Sequence, residues 1–124
     1  MNRGIFIIIK LEMYYVYMLR CQDNSIYTGI TNDLEKRMND HFTRNSRCAK
    51  YTLSHHAERL ELAFSAGDRK TASRLEYAIK RLDKSSKEKV ITDGRLPNAM
   101  LDDEDFASCS TLQPDAIGFL DKYR

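Results

Sequence analysis

The stretch from Tyr15 to His41 constrains the fold most, because it combines two β-prone runs, a turn and an amphipathic segment in under thirty residues. Residues 13–19 (MYYVYML) and 26–31 (IYTGIT) are rich in the aromatic and β-branched residues that favour strands. The sequence QDNS between them is typical of turns, since Asp and Asn side chains bond their own main chain. The stretch therefore predicts a β-hairpin.

The segment after the hairpin is predicted to be a helix. Asn32 followed by Glu35 three residues later matches a capping box. Leu34, Met38 and Phe42 recur at helical spacing and are the expected buried stripe.

Gly29 lies inside the second predicted strand, where a glycine weakens the strand. We therefore expect another backbone or a ligand to come close at this position.

Arg37 and His41 are four residues apart, so they lie on one face of the predicted helix. An arginine can neutralise the charge of a phosphate, and a histidine can move a proton near neutral pH. Together with the strand tyrosines, these two side chains suit phosphodiester chemistry.

At these residues the sequence resembles the GIY-YIG nuclease domains, and in particular their small stand-alone bacterial members. Residues 15–17 (YVY) stand where the family has Gly-Ile-Tyr, and residues 27–29 (YTG) stand where it has Tyr-Ile-Gly. Arg37 matches the family's helix arginine, and His41 matches a histidine found in some members. The resemblance covers residues 14–91. It departs from the family pattern in its first tyrosine and in lacking an obvious counterpart of the asparagine that some members carry after the metal-binding helix.

The rest of the chain up to residue 92 alternates between strand and helix patterns, which predicts an α/β or α+β class. Residues 59–65 (RLELAFS) alternate as a half-buried strand, residues 69–82 have a helical apolar stripe, and residues 85–91 follow as a short helix. With the resemblance, the expected fold is a three-stranded antiparallel sheet flanked by three helices.

The resemblance implies a set of catalytic residues and a metal ligand. The catalytic residues are Tyr17, Tyr27, Arg37 and His41. We favour Tyr17, with Tyr27 as its partner, as the hydroxyl that orients or deprotonates water. Because tyrosine has an ordinary pKa near 10, this role is expected to need help from nearby cations.

Glu76 lies at the edge of a predicted buried stripe, where a carboxylate needs a neutralising partner. The residues alone favour a salt bridge there. The resemblance implies instead that Glu76 binds Mg²⁺ or Mn²⁺.

The net charge of +2 is unevenly distributed. Residues 1–92 carry 17 Lys and Arg against 11 Asp and Glu, whereas residues 93–124 carry 3 against 7. A basic body suggests a polyanionic partner, although ordinary solvated charge explains the pattern equally well. Tyr51 lies among basic residues, a combination suited to base stacking and phosphate pairing. The candidate nucleic-acid-binding residues are Arg44, Arg47, Lys50, Lys80, Arg81, Lys84 and Lys87.

Three segments are expected. Residues 1–12 are an N-terminal extension whose apolar run, Ile5 to Ile9, is too short to span a membrane. Residues 13–92 are the nuclease-like domain, and residues 93–124 are an acidic tail, partly ordered at most, that we expect to fold over the basic face. The three cysteines form no CxxC pair, which favours a reduced, cytoplasmic setting without a cysteine metal site.

The sequence thus predicts a metal-dependent DNA endonuclease, in DNA repair or in processing branched or single-stranded DNA. The alternative is a nucleic-acid-binding module that kept the fold but cleaves poorly or not at all. Because no separate targeting domain is evident, specificity is expected from nucleic-acid shape or from a protein partner.

Overall fold

The hairpin predicted between residues 13 and 31 forms the edge of an antiparallel sheet in the computed structural model, which describes residues 13–45 and 47–124. Within these residues the sheet has four strands in the order β2-β1-β3-β4. The strands are β1 (Tyr14–Cys21), β2 (Ile26–Thr31), β3 (Ala57–Ala66) and β4 (Ser110–Leu112). The α+β class is confirmed, but the expected three-stranded sheet is wrong by one strand, which the C-terminal segment supplies.

The helices surround this sheet, and the described residues contain six α-helices and two short 3₁₀-helices. They are α1 (Leu34–Phe42), α2 (Lys50–Ser54), α3 (Arg69–Lys80), α4 (Lys84–Asp93), α5 (Asn98–Leu101), α6 (Glu104–Ala107), and the 3₁₀-helices η1 (Pro114–Ala116) and η2 (Gly118–Tyr123). The three expected helices correspond to α1, α3 and α4. None of the helices in the described part of the chain has the length and apolar character needed to cross a bilayer.

Aspartates cap the three longer helices. Asp33, and not Asn32, caps α1 by accepting a hydrogen bond from the backbone N–H of Lys36 at 3.1 Å. Asp68 caps α3 and Asp83 caps α4 in the same way. Each carboxylate satisfies an N–H group that has no partner within its helix.

Strand alternation separates the core into two clusters. On one face of the sheet, Val16 and Met18 of β1 pack with residues of α3 and α4. On the other face, Tyr17 and Leu19 pack with residues of α1 and η2. Because neighbouring residues of a strand point to opposite faces, Tyr17 is directed towards α1 and the side chains that α1 carries.

The C-terminal segment differs from the loosely ordered tail that the sequence suggested. β4 pairs with β3, aligning Ala63 with Leu112, and Leu120 and Tyr123 of η2 are buried against the α1 face of the sheet. These apolar side chains remove surface from water when the segment packs, which favours order. The apolar run of residues 5–9 lies outside the described residues.

The acidic part of this segment pairs with one arginine of α3. Arg74 binds the carboxylates of Asp103 and Asp105. Within the described residues, the hydrogen bonds and ion pairs of the acidic run 102–105 reach Arg74 but none of the seven candidate nucleic-acid-binding residues. The expected cover of the basic face by acidic side chains is therefore absent from this part of the structure.

Candidate active site

Tyr17 lies in β1 directly opposite Gly29 of β2, and its side chain is almost fully buried. A Cβ atom added to Gly29 would lie 2.5 Å from the Tyr17 hydroxyl oxygen and 2.6 Å from its Cζ. No side chain fits in that space. Gly29 therefore allows the Tyr17 ring to lie against β2, and the group that approaches the glycine is a side chain of the neighbouring strand.

The Tyr17 hydroxyl joins the two functional side chains predicted on α1. It lies 2.8 Å from Nε2 of His41, and Nε of Arg37 donates a hydrogen bond to it at 3.3 Å. The helical spacing of Arg37 and His41 places both on the face of α1 that covers Tyr17. The sequence prediction that these three residues lie together agrees with this geometry.

His41 is fully buried, and its second ring nitrogen also has a partner. Nδ1 lies 2.9 Å from the hydroxyl oxygen of Thr52, which in turn donates to the carbonyl of Ala49 at 3.0 Å. Burial, assisted by the charge of Arg37, lowers the pKa of His41 to about 4. At neutral pH the imidazole is therefore uncharged and able to accept a proton.

Burial shifts the pKa of Tyr17 in the opposite direction from that of His41. Loss of solvent raises the pKa of Tyr17 well above its ordinary value, and the nearby Tyr27 adds to this effect. The hydrogen bond and the charge of Arg37 favour the ionised form but only partly offset the burial. Tyr17 is therefore a neutral hydroxyl at physiological pH.

Arg37 has one end on Tyr17 and the other towards solvent. Its Nη1 donates to the carbonyl of Arg47 and lies 3.7 Å from the carboxylate of Asp40. Asp40 is buried and accepts a hydrogen bond from Asn45 at 2.8 Å. These contacts fix the guanidinium between α1 and the segment that leads to α2.

Tyr27 completes the aromatic part of the site. Its ring centre lies 5.5 Å from that of His41 and 6.2 Å from that of Tyr17. Nζ of Lys80 lies over the ring at 5.9 Å from its centre. Tyr27 is half-buried, so it lies between the buried pair and the solvent, with a cation beside it.

Glu76 lies on α3 with its side chain 22% exposed, and its carboxylate is 3.3 Å from Nζ of Lys80. This is the salt bridge that the residues alone favoured. No group of three or more His, Cys, Asp or Glu side chains suited to a metal occurs within residues 13–45 and 47–124. One accessible carboxylate still fits Mg²⁺ or Mn²⁺, because these ions keep several waters and often use only one or two protein carboxylates together with substrate phosphates.

The basic residues between α1 and α2 border the site. Arg44 donates to the carbonyl of Leu53, and Arg47 and Lys50 are exposed. Tyr51 stacks with the rings of Tyr27 and His55, at centre distances of 5.6 and 4.1 Å, and remains 36% exposed. The base stacking that its sequence context suggested would therefore compete with these ring contacts.

The basic residues of α3 and α4 are held by neighbouring side chains. Besides Lys80 at the Tyr27 ring, the guanidinium of Arg81 lies over the Tyr77 ring, and Lys84 donates to the carbonyl of Asn24 at 2.5 Å. Lys87 is half-buried. Lys80 and Lys84 thus point towards the β1–β2 hairpin, and Arg81 lies along α3.

Sequence reasoning missed two side chains that build the site. Thr52 lies between the predicted first helix and the predicted strand of residues 59–65, in a segment of polar and basic residues, and Asp40 resembles an ordinary surface residue of α1. It also missed Arg20, which is 6% exposed and forms ion pairs with Glu61 and Glu88 at 2.9 and 2.5 Å. No sequence signal marks these residues, because the partners of Arg20 are distant in the chain and the contacts of Thr52 and Asp40 depend on the path of the segment after α1.

Comparison with known proteins gives consistent results. The family model of the GIY-YIG catalytic domain matches residues 13–89. A UPF0213 protein of Fusobacterium nucleatum is 44% identical over 79 residues, 64% of this chain and 77% of that protein. The UPF0213 protein YhbQ of Escherichia coli is 45% identical over 83 residues, 65% of this chain and 79% of that protein. The solution NMR structure of a UPF0213 protein from Bacillus halodurans is 34% identical, covers 69% of this chain and 89% of that one, and has a TM-score of 0.45.

Proposed function

The chain belongs to the GIY-YIG catalytic-domain family, a family of nucleases, and we propose that it is an endonuclease that cleaves DNA phosphodiester bonds with the help of a divalent metal ion. One observation carries this proposal, namely the hydrogen-bonded chain from Arg37 through Tyr17 to His41. It combines a fixed positive charge, a hydroxyl and a neutral base, which are the groups needed to activate water beside a phosphate.

The first proposed step is removal of a proton from the attacking water. The Tyr17 oxygen takes this proton as the hydroxyl passes its own proton to Nε2 of His41, 2.8 Å away. His41 is neutral near pH 7 because its pKa is lowered to about 4, so Nε2 can hold a free lone pair for this proton. The same lowering makes the imidazole a weak base, so the transfer requires the negative charge of a bound phosphate to raise its pKa. This step requires that Nε2, the nitrogen facing Tyr17, is the unprotonated one.

Arg37 supplies the fixed charge. A phosphodiester gains negative charge on its non-bridging oxygens as water attacks, and a guanidinium stabilises that charge with directed hydrogen bonds. Nη1 of Arg37 is held by the Arg47 carbonyl, so the side chain is oriented before substrate binds. Tyr27, with Lys80 over its ring, lies beside this position and would contact the same phosphate.

Glu76 would hold the metal ion, Mg²⁺ or Mn²⁺. When bound, such an ion stabilises the negative charge of the leaving oxygen as a Lewis acid. Lys80 must then release the Glu76 carboxylate, and its ammonium group becomes available to the DNA backbone. We also assign backbone contacts to the basic residues of the segment before α2, of α2, of the C-terminal end of α3 and of α4, namely Arg44, Arg47, Lys50, Arg81, Lys84 and Lys87.

We further propose that the substrate is structured DNA, branched or single-stranded, that arises in repair. The candidate DNA-binding residues are spread over several elements and not over one helix: Lys80 and Lys84 contact the β1–β2 hairpin, whereas Arg44, Arg47 and Lys50 are exposed between α1 and β3. Phosphate contacts of this kind position a protein without reading sequence. Discrimination would then come from the shape of the DNA or from a partner protein.

A binding module without turnover is the second candidate, and the closed state of the site favours it. Tyr17 is only 1% exposed, and Glu76 is occupied by Lys80. A binder needs the basic surface alone, whereas a nuclease needs Glu76 released and Tyr17 reached by water.

The experiment compares labelled duplex, single-stranded, flap and branched DNA, and matching RNA, with Mg²⁺ or Mn²⁺. We expect metal-dependent nicking by the wild type that is lost in Arg37→Ala and in Glu76→Gln. Matched controls are Arg69→Ala and Glu58→Gln, two exposed positions away from the Tyr17–His41 pair, which should cleave like the wild type. If wild-type protein binds DNA but cuts no faster than Glu76→Gln, the nuclease proposal is wrong and the binding module is supported.

A further inference from the structure

We infer that Thr52 is a positioning residue whose hydroxyl accepts the Nδ1 proton of His41 and thereby keeps Nε2 free to accept the proton of Tyr17. The inference rests on the proposed function for its consequence in cleavage. Its structural content, the tautomer of His41, does not depend on cleavage. The tautomer follows from which group donates and which accepts each proton among the hydrogen-bonded side chains of Arg37, Tyr17, His41 and Thr52.

One of the hydrogen bonds of the Tyr17 hydroxyl has a fixed direction. Arg37 is always charged and can only donate, so the Tyr17 oxygen accepts from Nε of Arg37. The Tyr27 hydroxyl also interacts with that of Tyr17, but the other well-formed Tyr17 hydrogen bond among the described residues is the one to Nε2 of His41, at 2.8 Å. The Tyr17 proton must therefore point to Nε2, since a buried hydroxyl that finds no acceptor is costly.

The next link follows from the chemistry of imidazole. A neutral imidazole carries one proton, so a ring whose Nε2 accepts must carry its proton on Nδ1. His41 is fully buried and its pKa is lowered, which keeps it in this neutral form. The Nδ1 proton then requires an acceptor, and the Thr52 oxygen lies 2.9 Å away.

The last link is the Thr52 hydroxyl proton, which cannot also point to His41. Ala49 provides its acceptor, with the carbonyl oxygen 3.0 Å from the Thr52 hydroxyl. In this arrangement each donor has an acceptor, and no buried side-chain nitrogen or oxygen of the described residues is left without a partner. The opposite arrangement, with the proton on Nε2, directs two donors at the Tyr17 oxygen and leaves the Tyr17 proton only the less well placed Tyr27 hydroxyl as acceptor.

Thr52 owes its position to α2, a helix of only five residues between α1 and β3. Thr52 is its only buried residue, and the adjacent Tyr51 stacks on Tyr27. Thus α2 covers the site and places beside His41 a hydroxyl that accepts a hydrogen bond from Nδ1 and donates one to the Ala49 carbonyl. Serine and threonine can do this, whereas valine has the same shape but no hydroxyl.

The test uses Thr52→Val and Thr52→Ser in the full-length chain, with ¹⁵N NMR of the imidazole rings. The signals of His55 and His56 are assigned by single substitution to glutamine. We expect the wild type and Thr52→Ser to carry the His41 proton on Nδ1, and Thr52→Val to shift it towards Nε2. A wild-type ring protonated on Nε2, or a tautomer that stays the same in Thr52→Val, would overturn the inference.

Cleavage kinetics provide the second measurement. Partners that orient metal-bound histidines are worth about 10–100-fold in activity, and we expect a loss of similar size in kcat for Thr52→Val, with little change in KM, and recovery of most of it in Thr52→Ser. A purely structural role would lower thermal stability without changing the tautomer, and that result contradicts the inference. If no variant, including the wild type, cleaves DNA, the proposed function fails while the NMR result still decides the role of Thr52.

Discussion

Acidification should destabilise this protein in a way that depends on His41. The ordinary histidine pKa is 6.5, and burial lowers that of His41 to about 4 in the folded chain. Between these values the unfolded chain binds a proton that the folded chain does not, so the free energy of unfolding falls as pH falls. Stability from this group is complete above about pH 6.5 and is lost as the pH approaches 4.

The size of the loss in unfolding free energy follows from the difference between the unfolded and folded pKa values of His41. Each pKa unit corresponds to about 1.4 kcal/mol, which gives a loss of about 3 kcal/mol for the His41 contribution. Carboxylates with lowered pKa, such as Glu88 at about 2, also destabilise the fold in acid but mainly below this window.

The assay is urea unfolding of the wild type and of His41→Gln at several pH values from 7.5 to 4. Glutamine does not titrate, so the difference in unfolding free energy between the two proteins isolates the histidine. We expect this difference to decrease by about 3 kcal/mol from pH 7 to pH 4. His56→Gln, which makes the same substitution at a half-buried position, is the matched control. A wild-type curve parallel to that of His41→Gln would refute the argument that burial holds His41 neutral.

Three further substitutions test the packing around the site. Gly29→Ala should destabilise the fold by about 1–3 kcal/mol and abolish cleavage, because its methyl group would overlap the Tyr17 hydroxyl; unchanged cleavage would contradict the assigned role of Tyr17. Arg20→Ala removes a buried guanidinium from Glu61 and Glu88, which are half-buried and keep Arg59 and Lys84 as partners, so it should cost about 1.5–3 kcal/mol in urea unfolding, and a loss below 1 kcal/mol would show that these ion pairs matter little. Leu120→Ala should cost about 2–5 kcal/mol, whereas Phe119→Ala, at a neighbouring side chain that is 43% exposed, should cost far less; equal effects would refute the packing of η2.

The hairpin and the first helix could be predicted because their determinants are local. Strand-forming residues, turn residues and a helical stripe lie within one short stretch, and the spacing of Arg37 and His41 fixes their common face. The fourth strand could not be predicted in this way. Three residues, Ser110–Leu112, form it by pairing with a distant edge strand, and so short a run has no pattern that distinguishes it from a loop.

The candidate site shows the same division between local and distant determinants. Its tyrosines, arginine and histidine belong to motifs, whereas Thr52 and Asp40 act through contacts set by the path of the chain between α1 and β3. The expected metal role of Glu76 came from resemblance, and the side chain lies in a salt bridge with Lys80. The spacing of residues on a helix cannot distinguish a metal ligand from a salt-bridged carboxylate, because both occur at the edge of the buried stripe.

The raised pKa of Tyr17 changes how this tyrosine could activate water. From the sequence, nearby cations were expected to assist ionisation of the hydroxyl, but burial outweighs the effect of Arg37 and stabilises the neutral form. A tyrosine in that state is a poor base on its own, because it holds its proton at physiological pH. It can accept a proton from water only while it gives one away, and the neutral Nε2 of His41 is the acceptor within reach. The proton acceptor, more than the cation, is therefore the group on which a catalytic role of Tyr17 depends.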